Sequence, residues 1–195
     1  ILMLAYRNHV GHSQQLERTH VSEMASQLLN HSGTSMDLPC GVSFHVDKDS
    51  FSFNSNDNDD CPYPSPIVET SLNHLGFTEL GNGFAVTIEL RNRPRKLDTG
   101  NSWITYASPA IANLNLLLRN RKNGDRFQPL GMNPHMKLQD FFVGAGVPKR
   151  WRDRVPLIES NNDILWVAGS RLAEWGKVMP EHTEVTRFEL IQPKL

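Results

Sequence analysis

The hydrophobic period of the chain changes near residue 34, and that change limits the fold more than any other feature. Before it, Val21, Met24, Leu28 and Leu29 recur at helical spacing behind Thr19, a suitable N-cap, and Ser32 and Gly33 close the segment. Ile1 to Val10 is likewise apolar and helix-forming, ended by Gly11. In the segment after it, the period is two. Val42, Phe44 and Val46 alternate with Ser43 and His45, and Phe51 and Phe53 alternate beyond a turn at Asp47 to Ser50, which predicts a β-hairpin. Asn82-Gly83 predicts a second turn, with a strand over Phe84 to Leu90, and Trp103 to Ala107 is a further strand. Leu114, Leu116 and Leu118 alternate into Arg119. Leu157 to Glu159, Ile164 to Val167 and Val185 to Ile191 complete the set around an Asn161-Asn162-Asp163 turn. A helix opened by Pro134 is expected over Met136 to Val143, and a second short one behind Pro148, with Trp151 and Val155 on one side and Arg150 and Arg154 on another. Leu138, Phe141, Phe142, Trp151, Leu165 and Trp166 are the candidate core. The fold class is α+β: a helical piece at 1–33, a β-rich middle at 34–113, and a compact domain at 114–195 with short helices on a mainly antiparallel sheet.

Charge is as uneven as periodicity. The stretch from Arg119 to Arg154 carries nine of the 20 Lys+Arg, namely Arg119, Arg121, Lys122, Arg126, Lys137, Lys149, Arg150, Arg152 and Arg154. Only Asp125, Asp140 and Asp153 oppose them, so the segment stands at +6 in a chain whose net charge is −1. Cations gathered in one segment of a near-neutral protein point to a polyanion-binding face, and all nine are candidate nucleic-acid contacts. The alternative is a solvated charged surface, in a noncatalytic protein-interaction module. The three acids read as partners for neighbouring arginines. Arg91, Arg93, Arg95 and Lys96 form a second cluster, read equally as an extension of that face or as a solvated strand end.

Other classes find little support. No apolar run approaches the roughly 20 residues of a membrane-spanning helix. Cys40 and Cys61 lack C-x-x-C spacing and read as free thiols in a reducing compartment. His9, His12, His20 and His31 have no matching second ligand pair for a metal. Asn54 to Asp60 is a polar loop without calcium-loop spacing. A chain that begins at Ile1 without a recognisable leader reads as a piece of something longer.

The pattern between the charges is specific. Arg119 to Gly131 reads R-x-R-x-x-G-D-R-F-x-P-x-G, Lys137 to Phe142 reads K-L-x-D-F-F, Val147 to Leu157 reads V-P-x-x-x-R-D-x-x-P-L, and Ile164 to Leu172 reads I-L-W-V-x-G-x-R-L. Four ordered blocks over some fifty residues resemble the C-terminal domain of tRNA(Ile)-lysidine synthetases, ATP-dependent ligases that join lysine to the wobble cytidine of an isoleucine tRNA. The helices near the start resemble that family's connecting region, and Asp37-Leu38-Pro39-Cys40-Gly41 resembles its D-L-P-x-G lead into a hairpin. Where relatives carry K-K-L-K-D-F, Met136 to Phe141 keeps one of three lysines. The resemblance implies recognition of the tRNA body, particularly its acceptor stem, in a cytoplasmic protein, and leaves a homodimer open. It implies no catalytic residue, cofactor or metal in this chain. ATP and magnesium belong to an N-terminal domain with an S-G-G-x-D-S loop, which does not occur here; Gly81-Asn82-Gly83 reads as a hairpin turn instead.

Overall fold

A computed structural model describes residues 1–11, 15–30, 33–47, 50–55, 61–98 and 100–193. His12, His31, Ser32 and the acidic run at 56–60 lie outside the described residues. The chain divides into two compact units, Ile1–Cys61 and Pro62–Leu195.

The first unit holds α1 (Leu2–Val10), α2 (Arg18–Asn30), β1 (Thr34–Leu38), β2 (Val42–Val46) and β3 (Phe51–Ser55), the strands forming one antiparallel sheet in that order. α2 begins one residue before Thr19, so that residue is not its cap; the imidazole Nδ1 of His20 accepts the Glu17 N–H at 3.1 Å, as a capping-box acid would. Val42, Phe44 and Val46 turn inward and meet Tyr6, Leu16, Met24 and Leu38 in one apolar cluster. That cluster draws on α2 only as far as Met24. Leu28 and Leu29, expected on the buried stripe, are therefore exposed, Leu29 to 83%. Tyr6 is fully buried and its hydroxyl donates to Pro39 O at 2.9 Å. Among the described residues neither Cys40, exposed, nor Cys61, buried, forms a disulfide.

The second unit contains β4 (Thr70–Ser71), β5 (Gly76–Gly81), β6 (Phe84–Asn92), β7 (Ile104–Ala107), β8 (Leu117–Arg119), β9 (Arg126–Phe127), β10 (Met136–Lys137), α3 (Leu138–Gly144), β11 (Leu157–Ser160), β12 (Asp163–Val167), β13 (Arg171–Leu172) and β14 (Glu184–Ile191). Two antiparallel sheets, β13-β12-β11-β8-β4 and β5-β6-β14-β7, share a core of Val86, Ile88, Leu118, Ile158, Leu165, Trp166, Phe188 and their neighbours. This pairing corrects the boundary expected at 113/114. β4 is hydrogen-bonded to β8, and β6 and β7 flank β14, so the strands of residues 62–113 are built into the same sheets as the C-terminal ones. The boundary expected at 33/34 fails likewise, because the helices share a core with the strands that follow them. Asn82 and Gly83, then Asn161 and Asn162, take positive φ in consecutive pairs, as tight turns matched to strand twist require.

Two expected helices come out shorter. Met136 and Lys137 pair with Phe127 and Arg126 as a β-ribbon, so α3 starts at Leu138 rather than near Pro134. Behind Pro148 there is one 3-10 turn, Lys149–Trp151. Leu138, Phe141 and Phe142 face inward as expected, with Leu165 and Trp166. Trp151, expected in the core, is only half-buried, and the Arg150 guanidinium stacks 4.9 Å from its ring centroid. Among the described residues no helix is long and apolar enough to cross a membrane, and no group of His, Cys, Asp and Glu could hold a metal.

Candidate nucleic-acid interface

Arg119 ends β8, which lies between β11 and β4. Leu118, Leu157 and Ile158 on these strands are fully buried on successive positions, so both faces of the sheet are covered here. Arg119 is consequently 5% exposed, which removes it from the surface expected to meet a ligand. Its Nε donates to Glu159 Oε2 at 2.7 Å, and its two terminal nitrogens fork onto Asp125 at 2.8 and 3.0 Å. A further bond reaches Asn120 O at 3.0 Å. Burial alone would pull the guanidinium pKa down; hydrogen bonds and charge from Asp125 and Glu159 outweigh it and hold the pKa above its ordinary value. Glu159 is the functional neighbour that periodicity missed. An acid next to Leu157-Ile158 in an otherwise apolar strand was its only trace, since a buried charge needs a partner.

Above this buried group stands a turn. Asp125 Oδ2 accepts the Lys122 N–H at 2.7 Å, the Asp125 N–H donates to Lys122 O at 3.2 Å, and Asp125 O accepts the Leu138 N–H at 2.9 Å. Gly124 sits between them at φ 88, where a side chain would be strained. The turn presents Arg121 and Lys122, and the β9–β10 ribbon sets Arg126 directly opposite Lys137. A cleft of about 80 Å³ separates the turn from residues 137–139. Like charges directly opposed on paired strands are destabilising unless an anion lies between or above them.

The nine expected contacts thus divide. Arg126 and Lys137 are exposed, Arg126 donating to His135 O at 3.1 Å. Among the described residues no ion pair engages Lys137 or Lys149, also exposed. Lys122 pairs with Glu69 at 2.8 Å and holds that carboxyl below its usual range, while remaining more than half exposed. Arg121 is tied to Asp153 at 2.6 Å and to Gln139 at 2.8 Å. Arg152 donates to Val147 O, and Arg154 to Pro64 O and Tyr63 O, so both staple loops. Arg150 covers Trp151. Asp125 and Asp153 are arginine partners as expected; Asp140 instead occupies the first turn of α3, where an acid suits the helix end. In the second cluster Arg93 is a staple too, its Nη1 bonding the carbonyls of Met179, Pro180 and His182.

Residues 116–189 match the protein family described as the TilS substrate C-terminal domain. Across 92% of its length the chain is 32% identical to a tRNA(Ile)-lysidine synthase of Dehalococcoides mccartyi, and covers 38% of that protein. It is 28% identical to the enzyme of the same name from Clostridium tetani, with the same two coverages. A 74-residue part, 38% of the chain, is 41% identical to 16% of the Clostridium perfringens protein of that name. Among solved structures, one titled as the crystal structure of the TilS C-terminal domain superposes with a TM-score of 0.56 at 26% identity, covering 66% of this chain and 98% of that one.

Proposed function

Because the chain belongs to the tRNA(Ile)-lysidine synthase family, as a C-terminal portion of it, we propose that the turn at 121–125 and the β9–β10 ribbon bind the phosphate backbone of tRNA(Ile). The observation that carries this reading is Arg126 facing Lys137 across a two-residue ribbon. A backbone that places two cations side by side, both exposed, is stabilised by a ligand bearing closely spaced negative charge, and RNA phosphates supply it. Structured RNA is read largely through shape and backbone, for which cations on a ribbon and a fixed turn are suited. The chain spans 38% of the length of the first two relatives. In the whole protein, then, this portion holds the tRNA body and acceptor stem while the remainder, with ATP and magnesium, joins lysine to the wobble cytidine in the cytoplasm. Lys149, exposed in the 3-10 turn, is a further cation for the RNA backbone; a homodimer is compatible with this reading.

One observation favours the other reading. Arg121 and Lys122 already have carboxylate partners, as cations on a solvated face do. Salt separates the two. Replacing Arg126 and Lys137 together with Ala should weaken binding of folded tRNA and flatten the slope of log affinity against log salt by nearly one unit per lost contact. Unaltered affinity and slope, in a variant that melts like the parent, would assign the segment to a solvated or protein-binding face.

A further inference from the structure

We propose that the buried Arg119–Asp125 pair is a positioning device for the RNA face, setting Lys122, Arg126 and Lys137, three of its exposed cations, in register; the proposal rests on the tRNA-binding reading above. Asp125 uses every polar group it has. Both carboxylate oxygens receive the Arg119 fork, one of them also receives the Lys122 N–H, its own N–H returns to Lys122 O, and its carbonyl accepts the Leu138 N–H. Each of these three cations is attached directly to that anchor. Lys122 is held through its own backbone, Arg126 is the residue after Asp125, and Lys137 is the residue before Leu138. Glu159 holds the guanidinium from the opposite side and fixes where the fork points. Stability alone explains this poorly, because an apolar group of similar volume often serves a core as well as a buried ion cluster does. A bidentate fork gives something apolar packing lacks, a defined orientation for the carboxylate and hence for the turn. Arg119 and Asp125 touch no phosphate in this arrangement; they act through the backbone they hold.

The sign of one substitution tests this. Asp125→Ala deletes an acid beneath a polyanion site, so on charge alone tRNA binding should tighten. Positioning requires the reverse: affinity weaker by about tenfold, near the low end of what losing an outer support costs a charged site, with a flatter salt slope. Amide exchange at Lys122 and Leu138 should quicken, while the Arg119–Glu159 pair remains to hold the core. Equal or tighter binding by a folded Asp125→Ala variant overturns the proposal. If that variant does not fold, Gly124→Ala serves, since it strains a turn at φ 88 without altering any charge, and its Cβ meets nothing within 4 Å. Weaker tRNA binding by Gly124→Ala supports positioning, and parent-like binding overturns it. The Arg126→Ala, Lys137→Ala double variant runs alongside. If it binds as the parent does, the RNA-face reading fails and the proposal with it; if it weakens while Asp125→Ala does not, only the positioning role is lost.

Discussion

At the scale of single residues, Arg119 and Arg121 are two positions apart in one basic run and do opposite work. Composition gave both the same reading, because a sequence shows the charge of a side chain but not which strands flank it. β8 is interior to its sheet, so Arg119 is buried, whereas Arg121 lies beyond the strand and reaches solvent. Removing them should therefore differ in kind. Arg119→Ala strands Glu159, itself 3% exposed, and should cost about 3–5 kcal/mol in urea denaturation, the range for one lost partner of a buried pair. Arg121→Ala removes a bond to an exposed carboxylate and should cost no more than about 1 kcal/mol. Comparable losses for both would mean that burial is not what distinguishes them. Phe142, at 0% exposure, was legible from its i, i+4 relation to Leu138; Phe142→Ala should cost about 3–5 kcal/mol, read as a lowered melting temperature.

Among elements, those fixed by local chemistry were readable and those fixed by neighbours were not. In the second unit β6, β7, β8, β11, β12 and β14 lie near the apolar runs that predicted them, although β11 and β12 are buried on successive positions, and the two Asn-containing turns follow from the ease with which Asn and Gly take positive φ. The start of α3 was misplaced because Met136 and Lys137 find ribbon partners in Arg126 and Phe127, a pairing with no local signal. β1 was missed for the same reason: its value lies in its bonds to β2. In the first unit one element-level contact has a pH signature. Tyr6 joins α1 to the β1–β2 turn through Pro39, and burial first, then the hydrogen bond and charge of Cys40, push its pKa from 10.0 up to about 12. A raised pKa means the folded state favours the neutral phenol. Its stabilising contribution is complete below pH 10 and is lost as pH climbs through 12. In tyrosinate absorbance, the difference between the parent and Tyr6→Phe should rise near pH 12; a difference centred on pH 10 would mean that the phenol is not sequestered.

For the whole molecule, a net charge of −1 conceals a segment at +6, and the fold narrows its outward cations by burying or stapling several and leaving Lys122, Arg126, Lys137 and Lys149 exposed. Order and spacing of four motifs made the family legible, because a domain's turns and helix faces constrain many positions at once. Which cations face solvent was not legible, since that depends on sheet order. ATP chemistry gives the sharpest whole-chain prediction. An ATP loop needs glycines whose backbone can close on phosphate oxygens. Of the chain's two G-x-G sequences, Gly81-Asn82-Gly83 is a hairpin turn, where a Cβ on Gly83 would lie 2.9 Å from Pro193 Cβ, and Gly144-Ala145-Gly146 closes the C-terminal end of α3. A ligand that binds the folded state raises the melting temperature in proportion to occupancy. The chain alone should therefore melt at the same temperature with and without ATP and magnesium, be stabilised by tRNA at low salt, and form no lysidine from ATP, lysine and tRNA in a single-turnover assay. An ATP-induced rise in melting temperature, or product formed with contaminating enzyme excluded, would place nucleotide chemistry in this portion and overturn that expectation.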